Sequence, residues 1–155
     1  MSLGTEFADL YLPYLHILEL TRVTFDDPNT LYLFLHCNKS IKDLEINDKH
    51  PLDLLVEGDL PHLQCLCCQG SSWKDICLVR PPLHALDVEL YERIRDRDGV
   101  LEVFQAVSGT LQTLDIFWLC WTSSRDCEDA IRRVLPGVSI RSTTRLGVPS
   151  AVVWR

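Results

Sequence analysis

One phrase recurs along this chain and narrows what it can fold into. Leu15-x-x-Leu18-x-Leu20 returns as Ile41-x-x-Leu44-x-Ile46, Leu63-x-x-Leu66-x-Cys68, Leu83-x-x-Leu86-x-Val88, Leu111-x-x-Leu114-x-Ile116 and Leu135-x-x-Val138-x-Ile140. The first positions of these six copies lie 26, 22, 20, 28 and 24 residues apart. Alternate residues of a strand point to opposite faces, so the last two apolar residues of each phrase share one face and the residue between them takes the other. One such strand cannot bury its face alone. Stacked in parallel, the copies build a continuous sheet, and the segments returning between them supply the second layer of the core. A slip of one residue would turn every apolar residue outward, so Leu18, Leu20, Leu44, Ile46, Leu66, Leu86, Val88, Leu114, Ile116, Val138 and Ile140 are expected to be buried together.

The longer return segments read as helices. Asp27 can cap a helix with Pro28 at its first position, followed by Leu31, Phe34 and Leu35 at helical spacing, predicting a helix over about 28–38. Asp98 can cap a second over about 99–108 that carries Val100, Leu101, Phe104 and Val107 and ends at Gly109. Ser124 opens a third over about 125–134 with Ala130, Ile131 and Val134 on one face, stopped by Pro136 and Gly137. The returns at 47–60 and 69–80 carry weaker signals and read as loops or single turns.

A period of roughly 20–29 residues is that of leucine-rich repeats. Together LPYLHILELTRVTF, LPHLQCLCC, PPLHALDVEL and TLQTLDIF resemble the leucine-rich-repeat region of F-box proteins, the divergent fungal ones above all, over about residues 10–145. The resemblance implies an α/β solenoid: a parallel sheet of about six short strands, coiled right-handed, with helices or loops on the convex side. It also implies the substrate-recognition part of a ubiquitin-ligase subunit, since no helical F-box segment precedes the repeats in this sequence. Two segments flank the repeats: residues 1–9, read as a tail partly of expression-vector type, and residues 146–155. The ninth repeat position, often Asn or Cys in the family, is Val23, Lys49, Ser71, Tyr91, Leu119 and Thr143 here, so the side-chain ladder that supports the turns in such proteins is missing.

In a solenoid the non-core strand residues line the concave binding face. The position between the two inward residues is Glu19, Glu45, Cys67, Asp87, Asp115 and Ser139 in turn, with Asp43, Glu89 and Arg141 beside it. Stacked strands bring these carboxylates about 4.8 Å apart, and like charges at that spacing repel by a few tenths of a kcal/mol each. Recurrence despite that cost fits a recognition stripe for a segment bearing Lys or Arg. It equally fits a solvated face whose charges prevent aggregation. Phe117 and Trp118, near the end of their strand, are candidate interface anchors. The candidate partner-binding set is therefore Glu19, Asp43, Glu45, Cys67, Asp87, Glu89, Asp115 and Phe117.

Net charge bears on the partner. The chain carries −7 overall, and the acidity is confined to one half: residues 1–78 hold 5 Lys/Arg against 12 Asp/Glu, residues 79–155 hold 10 against 10. Such a surface repels phosphate backbones and anionic lipid, so nucleic acid and membrane are disfavoured and a basic protein is favoured. The longest apolar run, Leu10 to Leu20, is broken by Pro13, His16 and Glu19, and the opening residues lack the pattern of a signal peptide. Seven cysteines without such a signal read as reduced thiols in the cytoplasm or nucleus.

Chemistry finds little purchase in the sequence. Cys65, Cys67 and Cys68 with His62 lack the second ligand pair of a structural zinc site, and their residues alternate across a strand. No P-loop, GxSxG, GxGxxG or HExxH motif is present. No metal, cofactor or catalytic residue is therefore expected. A protein-interaction module is the leading reading, followed by a repeat domain that assembles with itself through a sheet edge or an uncapped solenoid end. Third comes a Cys-dependent enzyme, which would require a histidine within hydrogen-bond reach of Cys67.

Overall fold

The computed structural model describes residues 2–47, 52–90, 97–118 and 124–144. Each phrase becomes a strand of one six-stranded sheet: β2 (Ile17–Leu20), β4 (Asp43–Ile46), β5 (Cys65–Cys68), β6 (Ala85–Leu90), β7 (Thr113–Trp118) and β8 (Ser139–Thr144). The strands follow one another in chain order and every neighbouring pair is parallel. Among the described residues four helices lie in the returns: α1 (Thr30–Cys37), α2 (Trp73–Leu78), α3 (Arg97–Val107) and α4 (Ser124–Val134). The fold is α/β with an open parallel sheet.

Register follows the leucines. Leu18, Leu44, Leu66, Leu86, Leu114 and Ile140 form one row across the sheet, and Leu20, Ile46, Cys68, Val88 and Ile116 form the next. All of these are buried except Ile140, which is half-buried, and they share one core with Leu31, Phe34 and Leu35 of α1, Trp73 and Ile76 of α2, Phe104 of α3 and Ile131 of α4. Trp73 stacks on Phe104 with ring centroids 5.2 Å apart, joining two neighbouring helices. The other sheet face is left open.

The sixth strand departs from the expected register. Ile140, not Val138, stands opposite Leu114, so this strand is displaced by two residues and Arg141 takes the central position assigned to Ser139. Because side chains alternate with period two, the displacement keeps the same residues inward and changes only the row. Val138 precedes the strand and is half-buried.

The helix signals hold with shifted boundaries. α1 begins only at Thr30, with Asn29 at its cap, so Asp27 and Pro28 lie in the turn ahead of it, where the Asp27 carboxylate accepts the Asn29 N–H at 2.8 Å and its carbonyl accepts the Thr30 N–H. Asp98 lies inside the first turn of α3 rather than ahead of it, and Gly109 follows a turn after the helix ends. Of the two weaker returns, 69–80 holds the short helix α2, entered through Gly70, whose φ of 126° suits only glycine. Residues 52–60 form turns that bury Leu52, Leu55 and Leu60. The buried carboxylate of Asp59 ties them to α1, accepting from the Val56 N–H at 2.9 Å and meeting His36 Nδ1 at 2.8 Å and Lys39 Nζ at 3.6 Å.

Residues before position 10, read above as a tail, pack on the first repeat. β1 (Ser2–Leu3) pairs in parallel with β3 (Thr24–Phe25), and a 3-10 turn at Thr5–Phe7 places Phe7 on Phe34, centroids 4.2 Å apart. An apolar ring covers the first edge of the core. Trp118 is likewise core rather than an interface anchor: it is buried, and its Nε1–H donates to Ser142 Oγ at 2.7 Å. Trp121, Trp154 and the segment 146–155 lie outside the described residues.

Candidate functional site

On the open face, parallel pairing aligns Glu19, Glu45, Cys67, Asp87, Asp115 and Arg141 in one row across all six strands. Beside it runs the row Ile17, Asp43, Cys65, Ala85, Thr113 and Ser139. Apart from Ser139 and Arg141 of β8, these residues line a shallow groove of about 230 Å³ over β2 to β7. The small side chains of the second row give it a floor, and the carboxylates give it a wall.

The predicted residues therefore separate into two groups. Glu19, Asp43, Glu45, Cys67, Asp87 and Asp115 meet in the groove. Glu89 and Phe117 stand two residues further along their strands, opposite each other, and Phe117 borders a smaller hollow of about 120 Å³ with Asp115, Arg141 and Thr143. Sequence reasoning missed Ile17, Ala85 and Thr113 as floor residues, although strand parity from Glu19 outward points to each of them.

Arg141 changes the electrostatics of the row. Its Nε and Nη2 donate to the two carboxylate oxygens of Asp115, both at 2.7 Å, in a two-pronged fork. Asp115 thereby has a counter-charge from within the chain, whereas no ion pair is found at Glu19, Glu45 or Asp87 among the described residues. At Asp87, burial first, then the charges of Asp115, Glu89 and Glu45, push the carboxyl up to about 6. Asp87 thus takes up a proton in the mildly acidic range.

A stability change follows. An Asp in the unfolded chain titrates near 3.9, so between about pH 4 and 6 the folded state holds a proton that the unfolded state has lost. Stability then falls as pH rises through that window, and the loss persists at neutral pH. Asp87→Asn is expected to stabilise the protein at pH 7.5 by roughly 1 kcal/mol once solvent screening is allowed for, and to change nothing near pH 3.5. Thermal unfolding at the two pH values checks this; destabilisation at pH 7.5 would contradict it.

The thiols face the same field. Burial and the charges of Asp87, Glu45 and Glu89 raise Cys67 to about 12, and burial with the adjacent Asp43 raises Cys65. A nucleophilic cysteine needs the opposite, a lowered pKa beside a cation or helix N-terminus. No histidine is among the groove-lining residues described. Cys68 is buried on the core face, away from Cys65 and Cys67, and among the described residues no three His, Cys, Asp or Glu side chains are grouped to hold a metal ion. What the arrangement offers chemically is hydrogen-bond acceptors and negative charge on a fixed sheet.

Comparison with family models, curated proteins and solved structures finds no match to this chain. Among the described residues, no helix is long and apolar enough to cross a membrane.

Proposed function

We propose that this chain is a leucine-rich-repeat solenoid that binds another protein on its open sheet face, in the manner of the substrate-recognition region of an F-box ubiquitin-ligase subunit. The partner presents basic residues, and the encounter takes place in the cytoplasm or nucleus. One observation carries this reading: the row Glu19, Glu45 and Asp87, with Asp43 beside it, stacks carboxylates on one exposed face where solvent alone demands none. The Asp115–Arg141 fork supports it, because it is the contact that an incoming guanidinium would make with the remaining carboxylates.

Attraction of this kind speeds encounter and sets specificity more than it adds affinity. A partner captured from native lysate is expected to bind about tenfold more slowly to the combined variant Glu19→Gln, Glu45→Gln, Asp87→Asn, whose side chains lie outside the core. Wild-type association is expected to slow as salt rises past about 0.15 M, where screening acts within roughly 8 Å. Unchanged rates and unchanged salt dependence would reduce the row to a solubility device. The assembly reading is separated by sedimentation: a concentration-dependent dimer of the wild type would favour it.

A further inference from the structure

The chain entering β2 presents an apolar ridge. Leu10, Tyr11, Leu12, Tyr14 and Ile17 are all exposed, Tyr14 at 88%, Tyr11 at 69% and Ile17 at 59%. Their exposure does not come from a loose loop, because the main chain beneath them is tied down. Buried Asn38, at the end of α1, accepts the Leu12 N–H at 2.6 Å and donates through Nδ2 to the Leu10 carbonyl at 2.7 Å. Ser40 Oγ donates to the Leu15 carbonyl at 2.9 Å, and the Lys42 and Asp43 N–H groups donate to the His16 carbonyl. Clustered, exposed, large apolar side chains on a fixed segment mark an interaction surface.

The ridge runs along the chain to Ile17 at the edge of the acidic groove. Ile17 lines the groove, and its register partner on β4 is Asp43, with Glu19 and Glu45 paired in the next row. Apolar surface and unneutralised carboxylates therefore stand on neighbouring strands, about 5 Å apart. Resting on the protein-binding reading above, we propose that the ridge and the groove form one composite site for an extended peptide segment of a partner, which lays a large apolar side chain against Tyr11, Tyr14 and Ile17 and an arginine on Glu19 and Glu45. Charge complementarity chooses the occupant. The half of the chain that holds the ridge carries 12 Asp/Glu against 5 Lys/Arg, so a second copy would bring like charge to the same surface. Arginine suits the site better than lysine because its planar fork matches a carboxylate in two bonds and also stacks on tyrosine. At about 3.3 Å per extended residue, a ligand that follows β2 from Ile17 to Glu19 sets its apolar anchor and its arginine at least two positions apart.

The test is selection of a random 12-residue peptide library on the immobilised full chain, followed by fluorescence-polarisation titration of the selected peptides. Peptides that pair an aromatic or large aliphatic residue with an arginine at least two positions away are expected to be enriched. They should bind about tenfold or more weakly to Tyr11→Ser/Tyr14→Ser, as anchor loss does at interfaces, and weakly also to Glu19→Gln/Glu45→Gln. Tyr11, Tyr14 and Glu19 are exposed and Glu45 is half-buried on the open face, and unchanged thermal melting confirms that both variants fold. Loss of binding only with the carboxylate variant would overturn the ridge and leave the protein-binding face standing. Peptides indifferent to both variants, or no enriched peptides, would overturn both. A wild-type dimer in sedimentation that Tyr14→Ser dissolves would assign the ridge to self-association instead.

Discussion

Leu86→Ala is expected to lower the free energy of unfolding by about 2–5 kcal/mol, the cost of a buried leucine truncated in a core that relaxes only in part. Leu86 is 2% exposed and stands in the middle of the leucine row, between Leu66 on one neighbouring strand and Leu114 on the other. The cavity would open where the inward face of the sheet meets the helices, with packed side chains on every flank. Chemical denaturation should show a lower midpoint at an unchanged slope, since the surface exposed on unfolding is the same. Ile17→Ala, on the opposite face of the same sheet, supplies the contrast: its side chain already lies in water, and the change should stay within about 0.5 kcal/mol. Equal stability of the two variants would break the assignment of faces.

The second large effect lies at Asn38. Its side chain satisfies three main-chain groups, accepting the Leu12 N–H and donating to the carbonyls of Leu10 and Phe34 at 2.7 and 2.9 Å. Asn38→Ala removes all three bonds at a fully buried position, and unpaired groups there should cost about 2–4 kcal/mol together. Asn38→Asp tests whether the hydrogen bonds or the volume matter. The carboxylate nearly preserves the shape but turns an oxygen toward two carbonyls, so it should be at least as harmful as alanine. Hydrogen exchange gives the local readout, since the Leu12 amide should lose protection in both variants. If Asn38→Asp behaved like the wild type, the tether would not be what holds the segment before β2.

The architecture was legible because the residues that fix it repeat. Where both inward positions are aliphatic, or Cys68 in one case, a single reading of strand parity placed them, and five strands paired as that reading required. The sixth did not because its inward residues are poor markers. Ser142 stands where the others have an apolar residue, and it is held there by Trp118 Nε1–H, a side-chain contact that no local pattern announces. With Val138 and Ile140 both apolar, the sequence offered a register two residues early. That shift hid the Asp115–Arg141 fork, so the row read as more uniformly acidic than it is. The carboxylates of the groove were readable because parity alone sends them to one face. Phe7 and the Tyr11–Tyr14 ridge were not, since a stacked ring on Phe34 and a tether from Asn38 depend on residues more than twenty positions away.

The fork between Asp115 and Arg141 also gives the open face a direction. At the β7–β8 end the chain supplies its own counter-charge, while at the β2–β4 end Glu19, Asp43 and Glu45 leave theirs to the surroundings. The row therefore carries its own positive charge at one end and only carboxylates at the other. A ligand with basic groups at one terminus and neutral ones at the other would meet the two ends unequally, and the polarity that sets its basic end over β2 and β4 would be the lower in energy. On the proposed protein-binding reading, such an array of strands would tell the head of a basic peptide from its tail.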